Sequence, residues 1–505
     1  MKVLFVASEL TPLAKVGGLG DVIGSLPKEL ADLGVDVKIV LPFYEVIDRK
    51  VWKPRLRIKN YELGIKGEKI DIYSARLPRS SVEVFLVYNK KYLSTGPIYF
   101  EKTAFAGSKK EVDRFIFFSQ AVFRLLAQTK TDDGGSRGKS LRSPLKSAES
   151  AFSPLESAIG WQPDVVHCND WHTGELVKEI SNRKLVISRK SKKDQLLSLR
   201  DISRVPTGHP PKGDRETITN YQLPKTVFTI HNLANQGATK RENLMAEGIK
   251  NADIITTVSP TYAKEILTKK YGAGLDKLLR TREKAIVGIL NGVDYGFWTK
   301  KHARLDNIPT FGLVSRLTYQ KGIDLVAPLV GEFVKKYNAQ FWFLGQGEPQ
   351  NEAALENLAR KHPKNVFTTI GFNEKLAHYI YRECDFFLMP SRFEPSGLGQ
   401  MISMHYGTVP IVRATGGLKD TVKHLKTGFV FKNESAADFR KAMELAVKYF
   451  YDKKKFNAIR KNCLNQDFSW NKSARKYKRL YAGFGNPRDS RNPVPAGHLP
   501  KGDKY

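Results

Sequence analysis

The sequence predicts an α/β protein built from two doubly wound, parallel-sheet domains. Three observations lead there. Residues from Lys2 to Leu41 alternate as strand-like run, helix-patterned run and second strand-like run, which is a βαβ unit and favours a parallel sheet with right-handed crossovers. A second alternating series starts near residue 309. In both series, glycine-rich turns join strand ends to helix starts.

In the first series, Lys2–Ala7 and Val35–Leu41 read as strands, and Gly20–Leu33 has apolar residues at helical spacing. Val82–Tyr88 continues as a strand and Arg114–Ala127 as a helix, followed by strands at Asp164–Cys168 and Lys225–His231. In the second series the expected strands are Thr310–Ser315, Gln340–Leu344, Val366–Gly371, Asp385–Pro390, Val409–Arg413 and Gly428–Phe431. Helices are expected between them, at Gly322–Lys336, Asn351–Arg360, Glu374–Arg382 and Leu398–His405. The domains are therefore expected at 1–298 and 309–484, with a junction at Trp298–Ile308 and a tail at 485–505. In sheets of this kind ligands sit beyond the carboxyl ends of the strands.

Composition sets the outer bounds. The chain has 505 residues, 41% hydrophobic and 11% aromatic, so it can bury a sizeable core. Its three cysteines, Cys168, Cys384 and Cys463, are too few for a disulfide framework and fit a reducing compartment. The start MKVLFVASEL reads as a first strand rather than a signal peptide, and no apolar stretch has the length of a bilayer span. A cytoplasmic protein without a membrane partner is expected. Lys and Arg number 83 against 51 Asp and Glu, a net charge of +32. That suits an anionic partner or a general lysine bias with solvated faces. No RNP-like aromatic string, zinc-finger spacing or basic heptad accompanies the charge, which leaves nucleic-acid binding unsupported.

Three segments interrupt the alternation. Lys130–Ser157 is rich in Ser, Gly, Pro and charge, and Ser181–Leu223 carries ten Lys or Arg against four Asp or Glu. The tail from Gly485 is polar and dotted with proline. All three read as excursions from the core. The second and third share a near-repeat, VPTGHPPKGD from Val205 and VPAGHLPKGD near the C-terminus, identical at eight of ten positions. An inserted repetitive element explains it better than a solenoid.

Several turns carry candidate chemistry. Lys15-Val16-Gly17-Gly18-Leu19-Gly20-Asp21 follows the first strand and opens a helix, so a ligand can approach the backbone closely. It matches neither the dinucleotide G-x-G-x-x-G spacing nor a P-loop. His167-Cys168-Asn169-Asp170-Trp171-His172 lies past a strand end. Its composition also suits a metal, but a single cluster without a partner cluster favours hydrogen bonding over zinc. His172 is the better candidate for a polar substrate, with His167 and Trp171 assigned to the core.

In the second series, Arg316 and Lys321 share one strand-to-helix loop and can converge on one anion. Ser391-Arg392-Phe393-Glu394-Pro395-Ser396-Gly397-Leu398 ends a strand and opens a helix, and Thr415-Gly416-Gly417 repeats that design. Asp-x-Asp, a common metal–diphosphate pattern, does not occur. A diphosphate would then be met by Lys15, Arg316, Lys321 and backbone dipoles, with no metal or other cofactor.

With these motifs in place the sequence resembles bacterial glycogen synthase and plant starch synthase, retaining glucosyltransferases with two Rossmann-like domains facing across a cleft (the GT-B architecture). The resemblance runs from Met1 to about Phe484 outside the excursions. It rests on KVGGLGDVIGSLPKEL, DVVHCNDWHTG, TIHNLANQG, ADIITTVSPTYAKEI, ILNGVDY, VSRLTYQKGID, IGFNEKLAHYI, SRFEPSGLGQ and RATGGLKDTV. KVGGLGD separates it from broader relatives that share SRL…QKG.

The resemblance implies roles for individual residues. Lys15, Gly17, Gly18 and Asp21 would contact the donor phosphates or glucose, His172 would lie beside the transferred glucose, and Arg316 and Lys321 would hold the diphosphate. Glu394 with Ser396, Gly397, Leu398 and Gly399 would bind glucose hydroxyls, and Phe372 would lie under the adenine. Thr415, Gly416, Asn232 and Asn243 complete the implied substrate contacts. The implied reaction moves glucose from ADP-glucose, or UDP-glucose in some members, to the non-reducing 4-hydroxyl of an α-1,4-glucan such as glycogen or a maltooligosaccharide. Retention without a carboxylate nucleophile implies a front-side displacement in which the departing diphosphate helps take the acceptor proton. The family turn EPCGLTQ reads here with Ser396 for cysteine and Gly399 for threonine, the chain is shortened between Gly237 and Asn243 and after Trp298, and Ala246 stands where a lysine is usual. The alternatives are a retaining transferase with another nucleotide sugar and acceptor, or a weakened glucan-binding homologue.

Overall fold

The computed structural model describes residues 1–65, 67–100, 108–126, 161–185, 223–240, 242–299 and 308–485. Most of both interior excursions, both copies of the near-repeat and the tail beyond residue 485 lie outside the described residues. Ser181–Leu223 is too wide as a single excursion: a helix continues through residue 185, Lys184 Nζ pairs with Asp253 at 2.6 Å, and Leu223 is buried.

Two compact units form, Met1–Ile255 with Lys478–Tyr505, and Thr256–Tyr477. The sequence places the junction at Trp298–Ile308, which lies between the last strand of one sheet and the first strand of the other.

The first unit is built on β1 (Lys2–Val6), β2 (Asp36–Pro42), β3 (Arg55–Glu62), β4 (Lys69–Arg76), β5 (Glu83–Tyr88), β6 (Val165–Asn169) and β7 (Lys225–Ile230), in the spatial order β3-β4-β5-β2-β1-β6-β7. The pairs from β5 to β7 are parallel, and Phe5 sits between Ile39 and His167. β3 and β4 add an antiparallel pair that the sequence pattern did not reveal. β3 is exposed along most of its length, so it lacks the apolar alternation that marks a half-buried strand. The helix Gly18–Asp32 buries Leu19, Val22, Ile23, Leu26 and Leu30, the stripe its spacing predicts. Gly34 at φ +81° follows it and turns the chain into β2.

β8 (Ile254–Thr257) and β9 (Ile286–Gly288) continue that sheet beyond β7, and the second unit contains β10 (Thr310–Val314), β11 (Gln340–Gly345), β12 (Val366–Ile370), β13 (Phe386–Met389), β14 (Val409–Arg413) and β15 (Phe429–Phe431). These last six form an all-parallel sheet in the order β12-β11-β10-β13-β14-β15. Each is within about two residues of its expected bounds, the usual scatter for strand ends. Phe311 stacks on Phe341 at 5.0 Å and on Phe386 at 5.2 Å, which locks three neighbouring strands together in the core.

In both sheets the chain order reverses around one strand, β1 in the first and β10 in the second. The ends of such strands are where doubly wound folds place ligands. All three cysteines are buried and unbridged. No described helix is long and apolar enough to cross a membrane.

Candidate functional site

In the first unit, neighbouring strands β1, β6 and β7 deliver three loops at their carboxyl ends. The loop after β1 is organised by Glu9, a buried residue that the sequence reading passed over. One of its carboxylate oxygens accepts from the backbone N–H of Val16 at 2.8 Å and of Gly17 at 2.6 Å. The other accepts from the Tyr99 hydroxyl at 2.8 Å. Lys15, expected as a mobile cation, is held 2.6 Å from Asp21, an acidic residue in the first turn of the following helix. Both remain over a third exposed, so the pair is a weak, solvent-screened one. Gly18 opens the helix with open space where a side chain would stand.

The loop after β6 places Asp170 at φ +55°, buried, with a carboxylate oxygen accepting from the backbone N–H of His231 at 2.7 Å. Burial pushes its carboxyl up to about 7. His172, proposed beside the substrate, is 5% exposed inside a cage of Tyr99, Phe115 and Trp171, with ring centroids 4.1–5.3 Å away. Burial holds it neutral, with its pKa lowered to about 3, and its Nδ1 has no hydrogen-bond partner among the described residues. His231, after β7, is the half-open histidine of this group, also held neutral at about 3, with Nε2 3.0 Å from Asn169 Oδ1. Its signal was in TIHNLANQG, a histidine one residue beyond a strand end, as Asp170 is beyond β6.

Two asparagines have local tasks. Asn232 Oδ1 accepts from Ala234 N–H at 3.1 Å. Asn243 caps the helix Leu244–Asn251 through Ala246 N–H at 2.9 Å and donates to Gln236 at 2.6 Å, which commits both ends of its amide. His167 and Trp171 are core residues as expected, His167 lying 2.6 Å from both the Tyr481 hydroxyl and Thr229 Oγ1. Gly237 at φ +56° is fixed by Trp171, whose ring would stand 2.0 Å from an added Cβ.

In the second unit, β10 and β13 are adjacent and their following loops are stitched together. Arg392 N–H donates to Gln320 O at 2.8 Å, and Gln320 Nε2 donates to Phe393 O at 3.0 Å. The Arg392 guanidinium forks onto Asp324 at 2.7–2.8 Å, binds Glu434 at 2.8 Å and donates to Tyr319 O at 2.8 Å. Within that frame Lys321 Nζ sits 2.6 Å from Glu394 Oε2, which also accepts from Ser391 Oγ at 2.9 Å. Glu394 is 5% exposed. Two residues given separate roles on sequence grounds thus meet in one shielded ion pair. Arg316 stands exposed beside them, donating to Gln320 Oε1 at 3.2 Å.

The turn after Glu394 presents Ser396 with its buried Oγ lacking a hydrogen-bond partner among the described residues, Gly397 at φ +69°, and half-buried Leu398. Gly399 has a packing cause. A Cβ there would stand 2.8 Å from the Phe387 ring and 3.2 Å from the Tyr381 hydroxyl. Thr415-Gly416 was expected as a third anion-ready turn. Its Gly416 N–H and Thr415 Oγ1 are instead taken by the Glu265 carboxylate, at 3.0–3.1 Å and 3.2–3.3 Å. The helix behind it is a single short stretch, Gly416–Thr421. Phe372, after β12, is 81% exposed, a large apolar face in water.

Comparison with known proteins decides the family. The starch synthase catalytic domain family matches residues 2–187 and 212–281, and the glycosyl transferases group 1 family matches 294–462. A glycogen synthase from Anoxybacillus flavithermus is 34% identical over 95% of this chain and 97% of its own length. The chain belongs to the glycogen and starch synthase family. A glycogen synthase from Thermotoga maritima is likewise 34% identical, over 95% of this chain and 98% of its own. Among solved structures, the catalytic domain of starch synthase IV from Arabidopsis thaliana superposes with a TM-score of 0.70 at 25% identity, covering 95% of this chain and 98% of that one. Membership makes the chain a hexosyltransferase of the GT-B fold.

The family match also bears on the excursion. It passes over residues 188–211, inside the basic stretch. Replacing 188–220 by a short Gly/Ser linker is expected to leave folding and glucosyl transfer near wild type, because a change in the length of a flexible connection costs only about 0.6 kcal/mol per doubling. Thermal melting and a transfer assay check it. Loss of either would place the segment in the core or the acceptor site.

Proposed function

We propose that the chain is a retaining α-1,4-glucan synthase that moves glucose from ADP-glucose to the 4-hydroxyl at the non-reducing end of a glucan. The observation that carries this is the shielded Lys321–Glu394 pair beside Arg316, at the ends of the two strands where the sheet order reverses. A diphosphate leaving group gains negative charge as the glucosyl bond breaks. Arg316 and Lys321 are the preorganised cations that would receive it. Glu394, anchored by Lys321 and Ser391, presents a fixed carboxylate for sugar hydroxyls. Ser396 adds a buried hydroxyl with its hydrogen-bonding capacity unspent.

Two further points support the reading. The catalytic domain of Arabidopsis starch synthase IV is bound to ADP and acarbose in its structure. Phe372 offers an exposed aromatic face suited to an adenine. In the first unit we assign Lys15 and the Gly17–Gly18 backbone to the donor phosphates. The half-open His231 is placed at the transferred sugar in preference to the caged His172. Side-chain cations meet the diphosphate charge in this proposal, with no metal required.

The test is to incubate purified protein with maltooligosaccharides and either ADP-glucose or UDP-glucose. Chain extension by single glucose units is expected with ADP-glucose, at an undiminished rate in EDTA. Extension with UDP-glucose alone would reassign the donor. Strict dependence on an added divalent metal would overturn the cation assignment, and no extension with either donor would overturn the function.

A further inference from the structure

One short segment touches both turns of the second unit's site and has no part in the chemistry above. Ser259–Glu265 follows β8 and consists of an N-capping serine, a proline at the first helical position and a helix, Pro260–Glu265. It lies within the unit Thr256–Tyr477.

Three of its side chains, Ser259, Thr261 and Glu265, bind the site turns or the short helix that follows them. Ser259 Oγ, fully buried, donates to Pro395 O at 2.6 Å, the carbonyl next to Glu394. Thr261 gives both its N–H and its hydroxyl to Asp420, at 2.8 and 2.7 Å. Glu265 receives the Gly416 N–H and the Thr415 hydroxyl. The next link is backbone to backbone. Gly417 N–H donates to Glu394 O at 3.0 Å, and a Cβ on Gly416 would stand 1.9 Å from that same oxygen. At Gly417 a Cβ would stand 1.9 Å from Ser396 O. The two turns are therefore in direct backbone contact, and Ser259–Glu265 grips one on each side.

Glu265 is the costly part of this arrangement. Burial pushes its carboxyl up from the ordinary glutamate range, opposed by the Gly416 and Thr415 hydrogen bonds and the charges of Arg413 and Lys419. An apolar side chain of similar volume would pack there without that penalty. What a carboxylate supplies and an apolar group cannot is a fixed direction for the Gly416 amide.

We propose that Ser259–Glu265 is a positioning brace for the sugar-binding turn, with Glu265 the positioning residue that acts through Gly416 and Gly417 to set Glu394 against Lys321. This rests on the chain being a nucleotide-sugar-dependent glucan synthase. Its occupant is the donor already assigned to that turn. What it adds is the group that holds the turn in reacting geometry.

The experiment uses the full chain as wild type, Glu265→Ala, Glu265→Gln and Ser259→Ala. It reads kcat and acceptor KM for glucosyl transfer, and the stoichiometry of ADP binding by calorimetry. Glu265→Ala is expected to lose about 10²-fold in kcat, the cost of a roughly 1 Å misplacement close to the reacting groups. Its acceptor KM and ADP stoichiometry should stay at the wild-type values. Glu265→Gln should recover most of the rate, because its carbonyl still accepts the Gly416 N–H. Ser259→Ala should show a smaller loss in the same direction, and it tests the brace even where Glu265→Ala does not fold.

Wild-type kcat in Glu265→Ala or in Ser259→Ala overturns the brace. So does a rate loss that, in both variants, merely follows a falling ADP stoichiometry, which is the mark of misfolded protein. A wild type that transfers no glucose at all defeats the functional reading instead, and is seen before any variant is compared.

Discussion

Lys321→Ala is expected to lower kcat for glucosyl transfer by on the order of 10²–10³, the usual loss when one preorganised charge-stabilising group is removed. The ammonium lies 2.6 Å from Glu394, with 16% of its side chain exposed against 7% for the glutamate. Water does little there to screen it. Charge on a departing diphosphate is larger in the transition state than in the bound donor, so the loss falls on kcat as well as on binding. The same change strands the Glu394 carboxylate with Ser391 as its remaining side-chain partner, which destabilises the second unit by about 3 kcal/mol. Thermal melting separates the two effects. Assays run well below the midpoint isolate the rate. Near-normal turnover in a folded Lys321→Ala protein would remove Lys321 from the diphosphate site.

Glu9→Ala carries the second-largest expected effect, in the first unit. Glu9 fixes the backbone of Val16 and Gly17 and the hydroxyl of Tyr99 at once. Alanine frees the Lys15–Gly18 loop and leaves the Tyr99 hydroxyl with the Ser8 hydroxyl, 2.9 Å away. A loop free to move by an ångström is expected to cost about 10²-fold in kcat/KM for the donor. Glu9→Gln keeps an oxygen for the two backbone N–H groups and turns its NH₂ toward the Tyr99 oxygen, so it should retain most of the activity. Steady-state kinetics on the two variants decides the matter. Equal losses in both would mean that the negative charge itself matters, and no loss in either would free the loop from Glu9.

These two sites show what could be read from the sequence and what could not. The placement of Arg316, Lys321 and Glu394 at strand-to-helix turns was legible, because the alternation of patterns locates such turns. Their pairing was not, since it depends on β10 and β13 lying side by side although β11 and β12 separate them in the chain. Glu9 was invisible for a related reason. An acidic residue in a loop looks solvated until the loop folds back and offers it backbone N–H groups. His172 was preferred to His167, and His231 was not weighed, because only packing distinguishes a caged ring from a half-open one.

Gly399 was read as a lost hydroxyl, and the space around it is filled by Phe387 and Tyr381. Local pattern carries no information about such volume exchanges between distant residues. The antiparallel β3–β4 pair was missed because exposed strands lack an apolar signature.

The burial of all three thiols has a practical consequence. Burial pushes the Cys168 thiol well up and the Cys463 thiol up to about 12, so neither presents more than a trace of thiolate to a reagent. Modification must wait for the surrounding structure to open. Cys168 lies in the first unit, and Cys384 and Cys463 lie in the second. The rate at which each sulfur is alkylated is therefore a clock for the opening of its own unit. The native sequence carries a pair of local unfolding gauges that need no introduced probe.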